Sequence, residues 1–196
     1  MILPQVGRIM KGVGMNLRCV GIAAALLMAA NAASAQLMQD GKPAAPSPRQ
    51  AESGGFAVIQ MASDNQDRFH AEWETSTPGA NLTTTTETVR NAPIFTFLVF
   101  TGCKADAAGN CNVTADFHVI GPQDKGSEEY STAKDAPVWM KKPPAKNILF
   151  LSDASLGLRI EDKDPLGAYI VRAVVTDHVA NITLKTEQTL TAVEAK

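Results

Sequence analysis

The sequence predicts an all-β chain: one antiparallel sandwich or barrel of about eight short strands. Three observations carry this. From residue 56 onward, apolar side chains recur at every second position in several runs, which is the period of a half-buried strand. Turn-forming steps separate those runs at short intervals, among them Pro78-Gly79, Gly121-Pro122 and the stretch 164–167. No long run shows helical spacing. Composition agrees, with 45% hydrophobic and 19% charged residues in 196 and a formal net charge of −2. These values exclude a disordered chain, a collagen-like chain and a disulfide-dense mini-protein. A near-neutral balance leaves no electrostatic footprint for nucleic acid.

The N-terminus reads as a targeting segment. Residues 1–35 hold no Asp or Glu and carry Arg8, Lys11 and Arg18. An apolar stretch from Cys19 follows, then Ala33-Ser34-Ala35, a small-x-small cleavage site before Gln36. A basic start, a short apolar core and such a site make a secretory signal peptide, with cleavage between Ala35 and Gln36. The apolar stretch is too short for a spanning helix, which needs roughly 20 residues. Cys19 precedes that stretch, the wrong side for lipid attachment. Cleavage would remove three of the 18 basic residues and none of the 20 acidic ones, leaving a distinctly acidic chain. Residues 36–196 are enough for one domain with a real core and short for two. No membrane contact is expected once the signal is cleaved.

Residues 36–55 are read as a flexible linker. Pro43, Pro46, Pro48, Gly54 and Gly55 lie there with little apolar content to order them. The β pattern then begins with the apolar run 56–61. Residues 68–74 place Phe69, Ala71 and Trp73 at period two. A short helix over 64–74 competes, because Asp64 and Asp67 suit a helix start. The Thr-rich run 82–89 reads as an exposed strand. Residues 93–101 are apolar on both faces, as in a central strand, and 112–120 alternate cleanly through Val113, Ala115, Phe117 and Val119.

Between those two strands lie Cys103 and Cys111, the pair that survives cleavage. An even count behind a signal peptide implies a disulfide formed in an oxidising compartment. A metal site or free thiols are the alternatives, but C-x7-C without neighbouring His is no zinc pattern. The segment is read as a hairpin tip closed by its own disulfide. Residues 123–146 form the least regular stretch, with Pro137, Pro143 and Pro144. Two short strands follow at 147–152 and 156–160, then a turn, an alternating strand from Tyr169, a turn over 177–181 and a last strand over 182–193.

The run from Asp164 through Gly167 and Tyr169 to Asp177 resembles the penultimate strand of immunoglobulin-like and fibronectin-like domains. In those domains a turn with Asp or Gly precedes a Tyr whose hydroxyl bonds back to the corner. Val171 stands where that family places a Cys, so no inter-sheet disulfide is implied. Phe100, Gly102-Cys103, Gly109-Asn110-Cys111, Asp116-Phe117 and Gly121-Pro122 are also similar to a group of small secreted bacterial proteins. These resemblances imply a single immunoglobulin-like antiparallel sandwich of about seven to nine strands over 56–196. They bring no activity with them.

Catalytic constellations are missing from the sequence. There is no G-x-S-x-G, and Ser155-Leu156-Gly157 lacks the leading glycine of a nucleophile elbow. His70, His118 and His178, with Asp116 and Asp177, have no ligand spacing for copper or zinc. The acidic run Glu161-Asp162-Lys163-Asp164 has oxygen ligands for calcium but no EF-hand spacing. Asn81, Asn112 and Asn181 head glycosylation triplets and are read as turn residues entering strands. The expectation is therefore no enzyme, no cofactor and no metal. The candidate partner-binding loop is 123–146, with Tyr130, Trp139, Met140, Lys141 and Lys142. Long loops on a rigid sandwich concentrate contact residues, and Tyr and Trp are common anchors. Trp139 alternatively covers one end of the core. The expected function is a periplasmic or secreted protein-interaction module. The partner would be another envelope protein, bound through this loop or by strand addition at a sheet edge. A module binding a glycan or a metal ion is the alternative.

Overall fold

The computed structural model describes residues 38–39, 42–43, 45–75, 82–122, 129–145 and 148–195. The chain divides into residues 1–31 and 32–196, and every described residue belongs to the second unit. Residues 1–35, read as a signal segment, the Ala35/Gln36 junction and the Pro78-Gly79 step lie outside the described residues.

The described chain is all-β apart from one helix. Two sheets hold nine strands: β3 (Gln50–Ser53), β4 (Phe56–Ser63), β5 (Glu87–Val89), β6 (Pro93–Thr101), β7 (Val113–Ile120), β8 (Glu129–Trp139), β9 (Phe150–Arg159), β10 (Gly167–Asp177) and β11 (Ile182–Val193). A separate two-stranded pair, β1 (Met38–Gln39) with β2 (Lys42–Pro43), precedes them. One sheet runs β5-β11-β10-β7-β8, the other β3-β4-β6-β9. All pairings within the two sheets are antiparallel except β5 with β11.

Alternation decides which side chains meet between the sheets. In β7, Val113, Ala115, Phe117 and Val119 are buried while the residues between them are half-exposed. In β10, Tyr169, Val171, Ala173 and Val175 do the same. They meet Phe56, Val58, Ile94, Leu98 and Phe100 from the opposite sheet in one core. A polar seam runs through it: Gln60 donates from Nε2 to the Val171 carbonyl at 3.0 Å and accepts from the Thr186 hydroxyl at 2.8 Å.

Several expectations are corrected here. Residues 50–53, placed in the linker, form an edge strand, because β3 completes the ladder of β4. The 68–74 stretch belongs to helix α1 (Gln66–Thr75), capped by the Asn65 side chain, which accepts from the Arg68 amide at 2.9 Å. Phe69 is its buried residue and stacks on Phe97 of β6 at 4.1 Å between ring centres. Only Glu87–Val89 of the Thr-rich run is a strand. The expected strands at 147–152 and 156–160 are one strand, β9, bulged between its pairings with Phe97 and Val99.

The largest correction concerns β6 and β7. They are not a hairpin: β6 lies in one sheet and β7 in the other. The Cys103–Cys111 disulfide is present, with Cα atoms 6.0 Å apart, and it closes the connection that crosses between the sheets. Gly102 begins that crossing at φ 80, and a Cβ there would stand 1.9 Å from the Gly55 carbonyl oxygen. Only glycine fits both the backbone angle and the gap.

Candidate binding surface

Within 123–146, expected to be an irregular loop, residues 123–128 and 146 lie outside the described residues, and the rest is largely strand. Most of its described part is β8, which carries Tyr130 and ends at Trp139. The apolar and β-branched content of 129–139 suits a strand. Pro137 and a left-handed Asp135 (φ 52) hide it from a pattern search. β8 meets β7 with three register shifts, so no steady alternation survives in the sequence.

Trp139 is half-buried. Its ring lies 5.4 Å from Phe100 and 5.9 Å from Phe150, centre to centre, and its Nε1–H donates to the Lys142 carbonyl at 2.8 Å. Lys141 sits 4.3 Å above the ring and pairs with Asp153 at 2.8 Å. Trp139 thus covers one end of the core and holds the β8–β9 connection against it. Met140 and Lys142 face solvent there. The connection is also tied to the disulfide, since the Cys111 amide donates to the Lys141 carbonyl at 2.8 Å. Ile148 and Leu149, expected in a strand, stand exposed just before β9.

The sheets have four edges of unequal character. β5 has three residues and β3 has four. β8 is interrupted by Pro137 and its register shifts. β9 has ten residues, and its bulge is confined to 152–154, where the Ser152 hydroxyl donates to the Ala154 carbonyl. Beyond it, Ser155 to Arg159 pair regularly with Phe97 to Pro93. Among the described residues no strand lies on the far side of β9. Sequence reasoning missed this edge because strand order cannot be read from one strand's own residues.

At the opposite end lies a corner organised by Arg90. One guanidinium nitrogen donates to the carbonyls of Glu161, Asp162 and Asp164 at 2.7, 3.0 and 3.0 Å, and Nε reaches Glu194 at 3.1 Å. The acidic run considered for calcium therefore turns its main-chain oxygens onto a cation of the chain itself. An open cleft of about 520 Å³ adjoins this corner, lined by Asn91, Arg159, Glu161, Asp162 and Lys163. Lys163 bonds Glu161, which raises its pKa. Tyr169 starts β10 here, and its hydroxyl donates to the Pro165 carbonyl at 2.7 Å, the bond that the family resemblance implied.

The histidines are dispersed. His70 lies on α1 edge-on to Phe97, His118 lies on β7, and His178 lies in the β10–β11 turn with Nε2 2.9 Å from the Thr114 hydroxyl. Asp116 accepts from the Asp135 amide. Asp177 is wholly occupied with backbone amides. Among the described residues no three His, Cys, Asp or Glu groups stand together as a metal site. Asn112 precedes β7, and Asn181 turns at φ 56 into β11, whereas Asn81 lies outside the described residues.

No protein-family model and no curated protein matches the chain. Among solved structures, a family 123 glycoside hydrolase from Clostridium perfringens is similar at TM-score 0.43 and 11% identity. That match covers 70% of this chain and 27% of the hydrolase, so the chain spans about a quarter of that enzyme's length. A Niemann-Pick type C2 protein from Japanese carpenter ant is similar at TM-score 0.36 and 13% identity, over 69% of this chain and 89% of that one. Neither likeness carries an activity, substrate or partner to this chain.

Proposed function

We propose that this chain is exported by residues 1–35 and works as a non-catalytic protein-interaction module in the bacterial periplasm or outside the cell. The Cys103–Cys111 disulfide supports an oxidising compartment. An immunoglobulin-like type is supported by the order β11-β10-β7-β8, which corresponds to strands G, F, C and C′ of that family, facing β4-β6-β9 in the places of A, B and E. β3 is added, and among the described residues there is no strand D. The tyrosine bond at the start of β10 points the same way.

The observation that carries the interaction reading is the free β9 edge. Beyond its bulge at 152–154 this edge is regular and proline-free over Ser155–Arg159, a template for an added strand. The other three edges of this sandwich are short or broken. The partner is thus an envelope protein that offers an extended segment to Ser155–Arg159, with main-chain hydrogen bonds supplying affinity. A photo-cross-linking side chain placed at Ser155 or Arg159 in cells should give one discrete adduct. The same group at Thr132 or Lys134 on β8 should give none. Adducts from both edges alike, or from neither, would reject docking at β9.

A second reading rests on the corner cleft. Its mixed-charge lining suits a small polar ligand such as a glycan. Thermal unfolding with cell-wall sugars and divalent metals tests it, since a ligand at 100 times its Kd adds about 2.7 kcal/mol. An unchanged melting curve with every one would remove this reading.

A further inference from the structure

We infer that the β8–β9 connection is a contact surface for an anionic phospholipid bilayer. Four large apolar side chains are strongly exposed among the described residues, and three belong to this one connection: Met140 (45%), Ile148 (51%) and Leu149 (38%). Exposed apolar groups concentrated on one connection, rather than spread along the chain, mark an interaction surface. The charge around them selects its partner. From Ala136 to Ser152 the sequence holds no Asp or Glu, and the described part of this connection carries Lys141 and Lys142, in a chain with more acidic than basic residues. Lys141 is held by Asp153 and by the Trp139 ring, whereas Lys142 is exposed and makes no ion pair among the described residues.

The start of the connection, residues 139–142, is also held firmly. Trp139 is wedged against Phe100 and Phe150, its indole N–H holds the Lys142 carbonyl, and the disulfide-bonded Cys111 holds the Lys141 carbonyl. Residues 139–142 need little ordering on contact. Apolar side chains flanked by lysines match the two layers of a membrane surface, acyl chains beneath anionic headgroups. This contact is peripheral and made by the folded part, where the sequence alone led to none being expected. It is independent of strand addition at β9, which lies along the side of the sheet.

The test is co-sedimentation with vesicles. The protein is purified from the periplasm of an expressing bacterium, so that export processing has taken place. Phosphatidylcholine vesicles containing phosphatidylglycerol are compared with phosphatidylcholine alone. Binding is expected on the anionic vesicles only, and salt should weaken it. Lys142→Ala should lower the affinity about fivefold, the contribution of one basic side chain at such a surface. Ile148→Ser with Leu149→Ser should abolish it. All three residues are exposed, so circular dichroism should match the wild type. Equal binding to both vesicle types, or anionic binding retained by the Ile148/Leu149 variant, would overturn the inference. So would vesicles left unbound while a photo-cross-linker at Leu149 gives a protein adduct, which would assign the tip to a protein partner.

Discussion

Asp177 is fully buried, and its carboxylate serves the backbone alone. Oδ1 accepts from the Val179 and Ala180 amides at 3.0 Å, and Oδ2 accepts from the Lys104 amide at 2.8 Å. One side chain thus pins the disulfide loop to the β10–β11 turn. Asp177→Ala would leave three amides without their acceptor and should cost about 3 kcal/mol, read by urea unfolding. Tyr169 has a comparable role at the other end. Burial, with the Asp164 charge adding to it and Arg90 opposing it, raises its phenol above the ordinary 10.0. The fold therefore favours the neutral phenol. That stabilisation is complete below pH 10 and is lost as pH rises through the raised value. Tyr169→Phe removes the bond to Pro165, so it should lose about 1 kcal/mol at neutral pH. Its melting temperature should also fall less steeply than that of the wild type above pH 10.

Among the elements, α1 shows how weak local preference is decided by a contact. Its sequence fits both a helix and a strand, and Phe69 stacked on Phe97 favours the helix. The chain leaving it is anchored by Glu72, whose carboxylate accepts from the Thr83 hydroxyl and amide, both at 2.6 Å. Those bonds, the hydroxyl's first, lower its pKa below 4.5. The carboxylate is stabilised by the fold, so this anchor is present above pH 4.5 and lost as pH falls through the lowered value. Amide exchange at Thr83 should accelerate in that acid range. In Glu72→Gln it should be fast already at neutral pH and insensitive to acid. β8 is the converse case. Its composition suits a strand, but Pro137 and the left-handed Asp135 break the pattern, and pairing with β7 holds it in place.

For the molecule as a whole, the disulfide closes a connection between two sheets rather than the tip of a hairpin. It spans a separation of eight residues, so constraint of the unfolded chain contributes about 2.5 kcal/mol. The Cys103→Ser, Cys111→Ser double variant should lose about that much in chemical denaturation. Its effect should extend to the β8–β9 connection, because Cys111 holds the Lys141 carbonyl. Enhanced hydrogen exchange at Met140 in that variant checks the coupling; unchanged exchange there would mean that Trp139 alone orders the connection. At this scale the two ends of the sandwich differ: an apolar, lysine-bearing tip at one, and a mixed-charge corner gathered around Arg90 at the other.

By itself the sequence determined the all-β class, the disulfide partners, the two clean alternations in β7 and β10, and the tyrosine at the corner. Each of these is written in residues close together in the chain, where the period of the pleat or a short spacing carries the information. Which sheet each strand joins was decided only by tertiary structure, as the separation of β6 from β7 illustrates. The same holds for the free edge at β9 and for the cover that Trp139 gives Phe100 and Phe150. These depend on partners far along the chain, and an apolar strand has the same local pattern whichever neighbour it pairs with. Exposure of Ile148 and Leu149 is of that kind too: as residues they belong to a strand, and only the point where β9 joins its sheet leaves them in solvent.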